Sequence, residues 1–102
     1  MSIMGQRLDL HAIFKVITPK VYFQPPSNVQ MEYPCIVYQR DDADTKFAGN
    51  RPYSYQQRYQ VTLIDPNPDS IILAKIAALP LCTYDRHYKA NNQNHDVFTL
   101  YF

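Results

Sequence analysis

Apolar side chains recur at three- and four-residue spacing near the start of the chain. Their stripe consists of Leu10, Ile13, Phe14 and Ile17. It predicts an amphipathic helix over residues 2–17. Thr18-Pro19 ends the pattern, because the residue before a proline avoids the helical region.

A second helical stripe follows the middle of the chain and consists of Ile72, Leu73, Ile76 and Leu79. We expect Asn67 to cap this helix, because its side chain can accept a hydrogen bond from the first turn. Pro68 suits the first helical position, and Asp69 favours the positive end of the helix dipole. Pro80 stops the helix.

Strict alternation of apolar and polar positions marks the longest strand signal, Tyr53 to Ile64. Its odd positions are apolar or aromatic apart from Gln57, whereas the even ones are polar until Ile64, which is typical of an antiparallel strand with one face in water. Shorter extended segments are predicted at residues 20–24, 33–40, 81–84 and 96–102. Pro25-Pro26-Ser27-Asn28 reads as a turn by composition.

Two polar segments separate these strands and are predicted to be loops. Asp41 to Pro52 joins the two strongest strands, and Asp85 to His95 joins the last two. The first is long for a hairpin connection, and connections of that length are usually functional or mobile.

The resulting order is helix, three strands, helix, two strands. It predicts an α+β fold in a single domain over residues 1–102, with a mostly antiparallel sheet and the helices packed on one face.

Ten basic and nine acidic side chains leave a net charge of +1. This balance argues against a partner held by charge alone, such as bulk nucleic acid or an anionic membrane. Lys and Arg are scattered singly, and no aromatic-basic motif of RNA-recognition strands is present, so we expect no sequence-specific nucleic-acid binding.

No apolar run approaches the roughly 20 residues of a membrane span, and no export signal is visible, so we expect a soluble protein.

Few residues suggest catalysis. Glycine occurs only at positions 5 and 49, which excludes a phosphate-binding glycine loop. Cys35 and Cys82 are expected to be reduced and buried, although their spacing does not exclude a disulfide. We therefore predict no cofactor and no catalytic residue.

The segment from Cys82 to Asp96 is the exception, since it holds a thiol, His87, His95 and two aspartates. A metal site through both histidines and a carboxylate, or a Cys82 nucleophile with a histidine base, would make the protein a small metal-dependent enzyme or hydrolase. Neither spacing is specific, and a hydrogen-bonded hairpin loop explains the same residues. His11 is expected to flank the first helical stripe.

Nine tyrosines point instead to an interaction surface, because tyrosine combines an apolar ring with a polar tip. In the predicted loop, Phe47 is the one large apolar side chain among ordered charges, and it could anchor an interface or tuck back onto the sheet. The candidate interface residues are Asp41, Asp42, Asp44, Phe47, Arg51 and Tyr53.

Three parts of the chain resemble the neck and tail proteins of tailed bacteriophages and prophages. They are Pro25-Pro26-x-Asn28-x-x-Met31-x-Tyr33-Pro34-Cys35-Ile36-Val37-Tyr38, Tyr59-x-Val61-Thr62-Leu63-Ile64-Asp65, and Tyr84-Asp85-Arg86-x-Tyr88 with Asn94-His95-Asp96-x-Phe98-x-Leu100-Tyr101. The predicted order of elements is similar to that of the tail terminator, or tail completion, proteins. The likeness extends from residue 3 to residue 102.

The resemblance implies a structural virion protein, assembled in the host cytoplasm, that forms a ring of about six subunits. Such a ring would cap the major tail tube protein and join it to the head-side connector or head-closure protein, without catalysis or a metal. The chain is shorter than many terminators, so another head–tail connector or head-closure role is the alternative.

Overall fold

A five-stranded sheet forms the centre of the fold in the computed structural model, which describes the backbone of residues 6–48 and 51–102 and the side chains of residues 7–41 and 57–102. The elements are α1 (Gln6–Ile17), β1 (Val21–Phe23), β2 (Cys35–Ala48), β3 (Arg51–Asp65), α2 (Ile71–Ala77), β4 (Cys82–Ala90) and β5 (Gln93–Tyr101). The α+β class and the order of elements are therefore as predicted.

The strands lie in the order β1-β2-β3-β5-β4. Only β1 and β2 pair in parallel; β2–β3, β3–β5 and β5–β4 are antiparallel. The sheet is thus mostly antiparallel, as predicted, and β4 forms one of its edges.

One hydrophobic core lies between the helices and one face of the sheet. Leu10 and Phe14 of α1 and Ile76 of α2 pack there against sheet residues such as Val61 and Phe98, all fully or almost fully buried. The alternation predicted for β3 holds from Tyr59 to Leu63, whose odd members are buried.

The predicted helix boundaries need correction. The described part of α1 begins at Gln6, and residues 2–5 of the predicted helix lie outside the described residues. Ser70, not Asn67, caps α2: its hydroxyl accepts the backbone N–H of Ile72 at 3.2 Å. Asn67 instead makes a turn. The Asp65 carboxylate accepts the backbone N–H of Asn67 at 2.8 Å, and the side-chain carbonyl of Asn67 accepts the backbone N–H of Asp69 at 3.0 Å. These side chains stabilise a turn as readily as a helix cap.

Both predicted loops are wrong in most of their length. Strand β2 continues to Ala48 and β3 begins at Arg51, so most of the segment from Asp41 to Pro52 is paired strand. Likewise, most residues from Asp85 to His95 belong to β4 and β5. Asn91 and Asn92 make the turn between them, both with positive φ (53° and 60°), which suits a two-residue hairpin. Backbone pairing overrides side-chain polarity in both places, because the hydrogen bonds of a sheet join main-chain groups and do not require apolar side chains.

Tyr38 lies at the centre of the core and is fully buried. Its ring lies 5.1 Å from that of Phe14, 4.9 Å from Phe23 and 5.9 Å from Tyr59. Tilted and edge-on arrangements at these distances are favourable for aromatic rings. Helix α1 and strands β1, β2 and β3 therefore meet on one side chain.

The Tyr38 hydroxyl reaches two polar groups of α1. It lies 2.8 Å from His11 Nδ1 and accepts a hydrogen bond from Arg7 Nη1 at 3.4 Å. Because the hydroxyl can donate one hydrogen bond and accept two, it can donate to His11 Nδ1 or accept from Nδ1–H, according to the tautomer of the imidazole. Burial lowers the pKa of His11, and the positive charges of Arg7 and Lys15 lower it further.

Replacing Phe14 by alanine should lower the free energy of unfolding by about 3–5 kcal/mol, because it leaves a cavity beside Tyr38. Val16 on the same helix is 87% exposed, and Val16→Ala should change stability by less than about 0.5 kcal/mol. Chemical denaturation of both variants measures the difference. Equal losses would contradict the assignment of the core face of α1.

Acidification should destabilise the fold through His11. A histidine whose pKa is lowered on folding contributes stability above its unfolded pKa, near 6.5, and this contribution is lost as the pH falls through the folded pKa. Melting temperatures at pH 7.5 and pH 5 measure the loss, which should be smaller in His11→Asn than in the native protein. An unchanged loss in this variant would contradict the assignment of the pH dependence to His11.

Candidate interaction surface

A two-stranded arm extends from one end of the sheet. Strands β2 and β3 pair from Cys35↔Ile64 to Ala48↔Arg51, whereas β5 pairs with β3 only from Arg58 onward and β1 pairs with β2 only at residues 36–38. We define the arm as residues 42–48 and 51–56. In the described part of the chain, no strand lies beside either outer edge of the arm.

The arm accounts for the elongated shape of the molecule. The protein measures 50 × 24 × 23 Å, and its radius of gyration of 14.7 Å exceeds the value of about 13 Å expected for a compact domain of this length. A two-stranded hairpin alone is marginally stable in water. The arm is therefore a segment that a partner could stabilise.

The base of the arm is fixed by polar contacts. The pairing of β2 with β3 shifts by one residue between Arg40 and Asp42, which marks a β-bulge at Asp41. The Asp41 carboxylate accepts a hydrogen bond from Arg58 Nε at 3.1 Å, and Arg40 Nη2 donates to Gln57 Oε1 at 3.3 Å. Both partners of the Asp41–Arg58 pair are about one-third or more exposed, so the pair contributes at most about 1 kcal/mol. These contacts orient the arm more than they stabilise it.

The predicted interface residues thus fall in the arm and at its base rather than in a loop. Asp41 lies at the base, and Asp42, Asp44 and Phe47 lie on β2. Arg51 and Tyr53 lie on β3. The side chains of these last five lie outside the described part of the structure, so the role of Phe47 as an interface anchor stays a prediction.

The tyrosines divide between the core and the surface. Tyr38 and Tyr59 are buried, whereas Tyr33, Tyr84 and Tyr88 are 43–48% exposed. Two of these three, Tyr84 and Tyr88, belong to β4. Among the described side chains, the β4 edge is therefore a tyrosine-bearing surface, a position that composition could not indicate.

Strand β4 presents its side chains to solvent over most of its length, and every residue from Thr83 to Lys89 is exposed. Even so, several of these side chains are held in place. The Tyr84 hydroxyl donates to Asp96 Oδ1 at 2.9 Å, and the Tyr88 ring stacks on His95 with 4.7 Å between ring centroids. The edge strand is thus ordered by β5 and exposed to partners.

The two histidines of this hairpin lie on opposite faces of the sheet. His87 is in register with Asp96 and lies 3.1 Å from Asn94 Oδ1 through Nε2, whereas His95 is in register with Tyr88. His95 Nδ1 lies 3.1 Å from the Gln93 carbonyl. Neighbouring positions on a strand point to opposite faces, so one metal ion could not bind both imidazoles. Over residues whose side chains are described, no group of three His, Cys, Asp or Glu side chains could hold a metal ion.

The cysteine hypotheses also lack the required geometry. Cys82 lies five residues before His87 on the same strand, about 16 Å along it, and burial raises the pKa of its thiol. A disulfide between Cys35 and Cys82 is also ruled out by distance. Cys35 lies on β2 and Cys82 on β4, and β3 and β5 lie between these strands, so that β2 and β4 are about 14 Å apart. Both cysteines are free, and burial together with Asp65 raises the pKa of Cys35 to about 12.

Comparison with protein-family models finds no match for this chain. Comparison with curated proteins finds none at a significant level either. Neither α1 nor α2, the helices of the described chain, is long and apolar enough to cross a membrane.

The β4–β5 hairpin should hold no metal. His87→Ala and His95→Ala, each made separately, should leave the fold intact and the metal content unchanged, because each imidazole contacts only protein groups of its own hairpin. Elemental analysis of the purified native protein and both variants provides the measurement. Stoichiometric zinc, iron or manganese that disappears with either substitution would favour the enzyme hypothesis.

Proposed function

We propose that this chain is a structural subunit of the neck of a tailed bacteriophage or prophage, a tail terminator that forms a ring of about six subunits. In this role it caps the tail tube and joins it to the head-side connector or head-closure protein. The proposal rests on the resemblance of the chain to that group of proteins and on one structural observation, the arm formed by β2 and β3.

The arm supports a role in assembly rather than in chemistry. It extends beyond the strands that β1 and β5 add to the sheet, and neither of its outer edges pairs with another strand in the described part of the chain. Exposed strand edges are a liability that proteins usually cover or shorten. A long arm that is neither covered nor short is suited to contact with another protein, here a neighbouring subunit or the tail tube.

Ring assembly also suits a fold whose two sheet edges differ. One edge consists of β4, with nine residues, and the other of the short β1 followed by the arm. Contacts between two different surfaces of identical subunits are heterologous, and they close into a ring when the rotation between neighbours permits it. Assembly could require high concentration or the tail tip itself, because association depends on mass action.

Removing the arm should abolish function and spare the fold. A variant in which Asn-Gly joins Asp41 directly to Arg58 keeps the buried core and the Asp41–Arg58 pair, although it removes Gln57. It should melt within a few degrees of the native protein, yet form no ring by native mass spectrometry and join no tails by electron microscopy. The native chain should give a species of about six subunits of 11.9 kDa.

Asn92→Gly is the matched control, since it alters the turn at the opposite end of the sheet, where φ is positive and glycine fits. It should form rings and join tails normally. A native chain that remains monomeric and never binds tails, under any condition, would refute the proposal. Rings that bind the head-side connector but not the tube would instead indicate a head-closure subunit.

A further inference from the structure

We infer that the outer edge of β4 binds the first strand of the arm, residues 42–48, of a second copy of this chain, so that neighbouring subunits share one continuous sheet. This inference rests on the proposed ring function and specifies the contact by which the ring would form. The ligand of the β4 edge is thus an extended backbone.

The open backbone groups of β4 can be assigned from its hairpin. The two-residue turn at Asn91 and Asn92 makes Ala90 and Gln93 a hydrogen-bonded pair, and bonding alternates along an antiparallel ladder. His87 and Lys89 therefore direct their backbone N–H and C=O groups away from β5. They offer two donors and two acceptors along the edge of the sheet.

A matching edge exists on the arm. Strand β1 lies beside residues 36–38, and the Gln24 side chain accepts the N–H of Arg40 at 3.2 Å. Beyond Arg40, no described strand lies beside the outer edge of β2. The stretch from Asp42 to Ala48 spans about 20 Å of strand, enough to pair with most of β4.

The strand order makes these two edges complementary. The outer edge of β2 faces the β1 side of the sheet, and the outer edge of β4 faces the opposite side. Because β2–β3, β3–β5 and β5–β4 are all antiparallel, β4 runs opposite to β2. A second copy in the same orientation, displaced along the strands, would therefore bring its β4 beside the arm in an antiparallel pair. The second strand of the arm, residues 51–56, faces the same side as β4 and cannot meet it in this arrangement.

Charge favours the same choice. Strand β4 carries two basic residues, Arg86 and Lys89, and one acidic residue, Asp85. The first arm strand carries two acidic residues, Asp42 and Asp44, and one basic residue, Lys46. The two strands are thus of opposite net charge, while the second arm strand carries only Arg51. Pairing of β4 with another β4 would place like charges near one another, which is unfavourable across strands. The arm of a second copy is therefore preferred over a second β4.

The test exploits the outward N–H of Lys89. Lys89→Pro removes that donor and leaves the β4–β5 ladder in place, whereas Lys89→Thr removes the charge and keeps the donor. Sedimentation and native mass spectrometry without tails should show that Lys89→Pro weakens self-association at least tenfold. Lys89→Thr should weaken it less than threefold, and both variants should melt like the native protein.

A charge exchange covers the case in which proline disturbs the hairpin. Lys89→Glu and Asp44→Lys should each weaken assembly, and the two together in one chain should restore it. Native assembly by Lys89→Pro, or no restoration by the double variant, would overturn the inference. If such rings still join tails, the proposed function stands and the contact lies elsewhere; a native chain that assembles under no condition refutes both.

Discussion

The buried hydroxyl of Tyr38 is the contact on which the rest of the fold depends. A tyrosine at full burial must satisfy its polar tip, and here Arg7 and His11 of α1 do so. The same ring packs on Phe14, Phe23 and Tyr59. One residue therefore fixes the position of the helix over three strands, by packing on one side and by hydrogen bonding on the other.

This arrangement anchors the strands from which the arm extends. Tyr38 pairs with Val61, and Arg40 pairs with Tyr59, so the core ends just where β2 and β3 leave the sheet. The bulge at Asp41 and its contact with Arg58 mark that transition. The protein thus combines a well-packed body with a two-stranded arm that pairs with no further strand in the described part of the chain.

The β4–β5 hairpin lies at the other side of the sheet and differs in character. The side chains of β4 are exposed from Thr83 to Lys89, but cross-strand contacts with β5, such as Tyr84–Asp96 and the Tyr88–His95 stack, order them. Residues that appear suited to metal binding or nucleophilic chemistry are placed on opposite faces or far apart along the strand. These cross-strand contacts hold β4 as a regular edge, which is the feature that a neighbouring strand would recognise in the inferred assembly.

The sequence alone determined the class of the fold, the order of its elements and most of the core face of α1 and β3, although Ile13 of the predicted α1 stripe is 36% exposed. Apolar periodicity carries that information, because burial of one face is what each helix and strand requires of its residues. Periodicity did not predict the strands at Asp42–Ala48 and Asp85–Lys89, whose residues are mostly polar and whose backbones pair with β3 and β5. Likewise, the choice of Ser70 over Asn67 as cap depended on where the chain leaves β3. Only the tertiary structure decided that β4 is an edge, that the two histidines of the β4–β5 hairpin face apart, and that the paired ends of β2 and β3 extend beyond the other described strands, because strand order and register arise from contacts between distant residues.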